Sequence, residues 1–264
     1  MVTSDLERYR LKFRKSSPKK QICEPVHTLK VIQTMNTAIQ QAIPVGRLDA
    51  DARAGFILRT YAHLIGAILA LVGVEVFLFS QGYAEAIAIR MLGTNWLLIL
   101  GGFMVVGWFA SHTAHRNLSP GAHYMAFAAY ILAYAILFVP MLYMAQMKAP
   151  GTIESAAGVT LMGVVGLTVV AFVTRKDFSF LRSVMVWGGI LAIVAIVASV
   201  LFGAELGTWF SVAMIGFAGA AVLYDTSNIL RHYPVDRHVA AALDLFGSVA
   251  LMFWYVLRLF LSRN

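Results

Sequence analysis

The sequence predicts an all-α integral membrane protein, a bundle of seven transmembrane helices with the last helix at its centre. Three observations carry the seven spans, and a polar stripe in the last span points to its central place. Apolar residues make up 59% of the 264-residue chain and charged residues 13%, with a mean hydropathy of +0.74; a soluble domain carries about 25% charged residues. Seven apolar stretches cover 56–80, 92–111, 123–146, 155–174, 180–204, 207–230 and 238–261, each near the roughly 20 residues that cross a hydrocarbon core. No strand-like alternation accompanies them, and a lipid interior admits backbone only as helices or closed barrels.

Residues 1–55 form a basic, polar tail ahead of a transmembrane domain over 56–264. The tail lacks an apolar core long enough for a signal peptide, and Asp5, Glu7 and Glu24 disfavour a mitochondrial presequence. Within it, residues 27–43 (HTLKVIQTMNTAIQQAI) have helical spacing and read either as an interfacial helix or as a loosely ordered segment. The one cysteine, Cys23, excludes an internal disulfide and any cysteine-based metal cluster.

The net charge of +8 is a topology signal. Eleven of the 21 Lys and Arg residues lie at or before Arg59. With the tail inside, the short loops on the same side add six (Arg116, Arg175, Lys176, Arg182, Arg231 and Arg237), against Arg90 and Lys148 in the loops opposite. The asymmetry predicts a cytoplasmic N-terminus and an external C-terminus. The basic run from Arg8 to Lys20 is read as meeting anionic lipid or fixing orientation, not as binding nucleic acid.

Along the spans, Pro140 suggests a kink in the third. Gly188 and Gly189 in the fifth, and Gly216, Gly219 and Ala220 in the sixth, are small residues of the kind that let helices pack closely. A short connection, HYPVD, joins spans six and seven, which makes them antiparallel neighbours.

Chemistry centres on two acids. Asp225 lies six residues before Arg231 and Asp244 seven after Arg237, so helical rise places each carboxylate about 9–10 Å inside the same interface. A carboxylate within a span costs roughly 2.5–3.5 kcal/mol to insert and is a functional candidate by default. Two readings stand. The acids pair, sharing a proton or holding a hard cation such as Ca²⁺, or each is satisfied separately, Asp225 at a helix end and Asp244 by solvent. In span seven, Asp244, Ser248, Tyr255 and Arg258 recur with Leu251 at three-to-four-residue intervals, a polar stripe that turns this helix toward the bundle interior. Arg258 and Tyr255 read equally as an interface anchor.

Accessory candidates are Glu75 in span one, read as reaching the outer interface or pairing with a cation path, and His112 after span two. His112 and His115 have the i, i+3 spacing of metal ligands but no carboxylate close in sequence; titration near neutral pH suits them to sensing. His63 reads as a satisfied helix-end histidine. No nucleophile elbow, phosphate-binding loop, dinucleotide fingerprint or zinc-protease motif is present, so the chain is not expected to be an enzyme or to need a cofactor beyond bound Ca²⁺.

The stretch VLYDTSNILRHYP followed by HVAAALDLFGSVALMFWYVLRLF resembles the signature end of the Bax inhibitor family of transmembrane proteins. FVTRKDFSFL (172–181) resembles its turn between spans four and five, and AGFILRTYAHLIGAILAL (54–71) its opening helix. The resemblance covers roughly residues 54–261 and implies seven helices with the last central, and a pH-sensitive Ca²⁺ leak gated by two aspartates. Asp225 matches the first. Ser248 stands where the second is usual, with Asp244 one turn earlier. Ala110 stands near the place of an arginine that usually closes the pair, and the acid usual within span two is missing. The resemblance is thus to a divergent, bacterial-type member, and it implies a place in the bacterial inner membrane. Some members are described as non-transporting regulators of membrane proteases or of cell-death and stress proteins, which is the alternative expectation.

Overall fold

The computed structural model describes residues 44–116, 120–203 and 205–262, within a compact unit running from Pro44 to Asn264. The expectations for the basic run, Cys23 and residues 27–43 fall outside the described residues. Among the described residues eight α-helices follow one another: α1 Ala50–Ser80, α2 Tyr83–Leu92, α3 Trp96–Ala114, α4 Pro120–Lys148, α5 Thr152–Thr174, α6 Leu181–Phe202, α7 Thr208–Arg231 and α8 His238–Leu261. All but α2 are long and apolar enough to cross a membrane, which makes seven spans. Among the described residues the extended pairing is one isolated antiparallel bridge, Pro44 with Pro234.

The spans match the seven apolar stretches with two additions. α1 begins at Ala50, six residues before the apolar stretch, because its first turn is polar (Asp51, Arg53) yet still helical. Gly82, at φ 74°, then reverses the chain in the left-handed region that glycine enters without a Cβ penalty, and α2 follows where the hydropathy suggested only a loop. Ala84 and Ala88, one turn apart on α2, are buried against Val139 of α4. α3 starts at a capped end, where the Asn95 side chain accepts the Leu97 N–H at 2.9 Å. α4 continues through Pro140 without interruption.

α8 is the centre of the bundle. It packs against α1, α3, α4, α5 and α7, and twelve of its 24 residues are buried. α6 lies at the rim, with Ala192 its one buried residue. Its large side chains, among them Trp187, Leu191 and Val194, are exposed. An apolar surface of that extent suits a protein whose solvent is lipid. Since lipid tails are as apolar as Leu, small residues and close packing must hold α6 in place. Gly188 does this: a Cβ there would come within 2.7 Å of the Phe217 ring of α7. Gly188→Leu is therefore expected to destabilise the protein by about 1–3 kcal/mol through overpacking, read as a lower thermal midpoint in detergent micelles, with Gly189→Leu, which meets Phe217 only at 3.9 Å, changing it less.

Candidate functional site

The end of the bundle that carries the α7–α8 turn is tied together by backbone. The Val45 N–H donates to the Tyr233 carbonyl at 2.9 Å, and Gly46 lies so close to Arg231 that a Cβ would meet its carbonyl at 3.0 Å. Arg237, just before α8, donates through Nη1 to the carbonyls of Ala114 (3.3 Å) and Arg116 (3.1 Å) at the end of α3. These carbonyls have no partner within α3, and a guanidinium there also suits the negative end of the helix dipole. The turn between α5 and α6 is fixed to α7 by Ser227, whose hydroxyl accepts the Phe178 N–H at 3.1 Å. In that turn the Ser179 N–H donates to Asp177 and holds its carboxyl below the usual range.

Both candidate acids sit just inside this tied end, and each has its own partners. Ser248 Oγ donates to Asp225 Oδ2 at 2.5 Å, joining α8 to α7. One turn nearer the end, Asp244 Oδ2 accepts the Tyr233 hydroxyl and lies 3.2 Å from His115 Nε2. The two carboxylates share no donor, yet the charge of Asp244 reaches Asp225. Tyr130 of α4 stands behind both and feels both charges. Gly247, between Asp244 and Ser248, admits it: a Cβ at Gly247 would lie 2.8 Å from the Tyr130 hydroxyl. Tyr134 donates to the Gly247 carbonyl at 3.4 Å and completes the aromatic wall.

His115 is the basic group that closes on Asp244 from the end of α3, where Ala110 offers no charge. Its Nδ1 faces the Ser111 carbonyl at 2.8 Å and its Nε2 faces a carboxylate. Both neighbours only accept, so both bonds form together only when the ring carries two protons. The Asp244 carboxylate accordingly raises the His115 pKa above its usual value, against partial burial. Burial and the same carboxylate push the Tyr233 phenol well above its own, which keeps it a donor. His112, by contrast, stacks on Trp108 at 5.1 Å and does not join the cluster.

Three further hydroxyls gather beside Asp225. Tyr61 of α1, Thr168 of α5 and Thr226 of α7 are drawn together from three helices and face one another, with the charge of Asp225 within reach, yet none makes a hydrogen bond. Sequence spacing gives no sign of this group. His63 is satisfied as expected, its Nδ1–H donating to the Arg59 carbonyl at 2.7 Å and its Nε2 accepting from Tyr124 at 3.0 Å. Arg258 sits at the other end of α8, donating to the Leu206 carbonyl at 2.8 Å and lying over the Phe210 ring. Glu75 does not reach an interface: it is 8% exposed and faces the bundle. No group of three or more His, Cys, Asp and Glu among the described residues is arranged to hold a metal.

A protein of Vibrio cholerae described as an uncharacterized membrane protein is 31% identical over 46% of this chain and 55% of its own length. An uncharacterized protein of Pseudomonas aeruginosa is 26% identical over 77% of this chain and 88% of its own. One from Neisseria meningitidis serogroup A is 25% identical over 65% and 76%. The chain thus spans about half of the Vibrio relative and most of the other two. No solved structure matches it. The sequence pattern of the family described as Inhibitor of apoptosis-promoting Bax1 matches residues 53–264, and with the seven-span bundle and its central last helix in place, the chain belongs to the Bax inhibitor family.

Proposed function

We propose that this protein mediates a pH-modulated leak of cations, Ca²⁺ foremost, across a bacterial inner membrane, with Asp225 and Asp244 as the gate and Ser248 as a supporting ligand. The observation that carries the reading is two carboxylates in adjacent helices, charge-coupled but separately tethered, Asp225 to Ser248 and Asp244 to His115 and Tyr233. Ca²⁺ takes six to eight hard oxygens. Two carboxylates and a few hydroxyls supply fewer, which leaves the remainder to water and makes binding weak. Weak binding suits passage, since an ion must leave as readily as it enters. The excess of Lys and Arg at the α7–α8 end supports placing that end, and the gate, on the cytoplasmic side.

The test is Ca²⁺ flux by purified protein in proteoliposomes. Flux above that of protein-free vesicles is expected. Its absence overturns the reading, and co-purification of a membrane protease that depends on the tail would then favour the regulator.

His115 supplies the pH dependence. Its folded pKa is raised, so the pair with Asp244 is complete below the ordinary histidine value of about 6.5 and is lost as pH rises through the raised value. Below that range Asp244 is latched to α3; above it the latch opens. Flux is expected to rise with pH across this range, and His115→Gln to flatten the rise. A profile identical to that of the unaltered protein would remove His115 from the gate.

A further inference from the structure

Glu75 belongs to the other half of the bundle and to no part of the gate. It lies on the face of α1 that carries Phe56, Thr60, Leu64 and Ala67, spaced three to four residues apart and all buried, about 8 Å along the axis from the helix end at Ser80. One turn further on, Leu78 and Phe79 pack into the cluster formed by Ala84 and Ala88 of α2 and Val139 of α4. Both carboxyl oxygens of Glu75 are buried and neither has a hydrogen-bond partner.

Charge from the surrounding elements does not compensate for this. α1 packs against α2, α4, α7 and α8. In this half, α2 carries Tyr83, Glu85 and Arg90, and α4 carries Tyr143 and Lys148. α8 carries Tyr255 and Arg258, the latter already engaged with Leu206 and Phe210, and α7 has no titratable residue there. None of these makes an ion pair or hydrogen bond with Glu75. An unpaired carboxylate in such a place is far less favourable than the neutral acid. A metal ion in place of a proton would need several oxygens around it, and among the described residues no group of three or more His, Cys, Asp and Glu gathers at Glu75, whose carboxyl oxygens have no hydrogen-bond partner.

We propose that Glu75 is a proton-binding site in the half of the bundle remote from Asp225, held as the neutral acid at neutral pH. It gives the protein a second, spatially separate place where proton occupancy on that side of the membrane is registered, and it does so whether or not the bundle conducts Ca²⁺.

A hydrophobic carbodiimide reports such a group. The acid proton passes to one carbodiimide nitrogen while the carboxyl oxygen adds to the central carbon. The adduct then rearranges, in a site poor in water, to a stable N-acylurea with no leaving group. The full-length protein in lipid vesicles is treated with dicyclohexylcarbodiimide and digested for mass spectrometry. Label on the Glu75 peptide is expected at about pH 6 and about pH 7, declining at about pH 10. Infrared absorption at neutral pH is expected to show a protonated-carboxyl band that Glu75→Gln lacks, and Glu75→Gln, a neutral isostere, is expected to leave the thermal midpoint unchanged. No band difference between the two proteins overturns the proposal. Suppression of the label by added Ca²⁺ or Na⁺ also overturns it, in favour of a metal-ion site. Neither readout uses flux, so failure here and failure of the leak are separately visible.

Discussion

Asp225→Asn is expected to lower Ca²⁺ flux in proteoliposomes by roughly ten- to hundredfold. The substitution keeps the shape of the side chain and an oxygen for the Ser248 hydroxyl, so the loss measures the charge alone. Interactions with a charged group are worth about 1.5–3 kcal/mol, which is that range in an equilibrium constant. Asp244→Asn is expected to lose less, because Asp244 shares its charge with His115 and is closer to solvent, with 27% of its side chain exposed. Ser248→Ala removes the hydroxyl that donates to Asp225 but leaves the carboxylate in place, and should lower flux less than Asp225→Asn. The variants should also couple by contact: Asp225→Asn with Ser248→Ala, and Asp244→Asn with His115→Gln, each less than additive. Unchanged flux in both aspartate variants would sink the assignment of the gate.

The spans were legible because composition leaves a chain of this kind no other fold, and lipid fixes the length of each helix. Their ends were less so. Hydropathy does not register a polar first turn, so the apolar stretch starts at 56 although Asp51 and Arg53 are already helical. It reads α2 as a loop, since Glu85 and Arg90 dilute the two alanines that anchor it.

The candidate site follows the same pattern. The stripe through Asp244 and Ser248 was readable from periodicity within one helix. Which of the two faces Asp225 depends on the axial offset between α7 and α8, which no spacing encodes, and Ser248 is the direct partner. The basic group at the end of α3 turned on where that helix stops. Ending it at 111 leaves His112 and His115 equivalent, whereas ending it at Ala114 points His115 at Asp244 and leaves His112 on Trp108. The hydroxyls of Tyr61, Thr168 and Thr226 come from three helices, and the burial of Glu75 is a property of its tertiary neighbours. Both are invisible to local pattern.

Phe246→Ala is expected to cost about 2–4 kcal/mol, the largest single loss of stability in the bundle. In water such a change costs about 3–5 kcal/mol, part of it transfer of apolar surface; between helices in lipid the transfer part shrinks, and lost contacts and the cavity remain. Phe246 is 1% exposed and meets Phe127, Tyr130 and Tyr134 edge-on, the nearest ring centroid being Tyr134 at 5.4 Å. It also sits between Asp244 and Ser248 on the central helix, so a cavity there should loosen Tyr130 and Tyr134 behind the gate as well as the core. Trp187 is the control. It is larger but 67% exposed on the lipid face of α6, and Trp187→Ala should stay within about 0.5 kcal/mol. Denaturation of the two variants in detergent micelles separates buried packing from side-chain size. Equal losses would place the core of the bundle somewhere other than along α8.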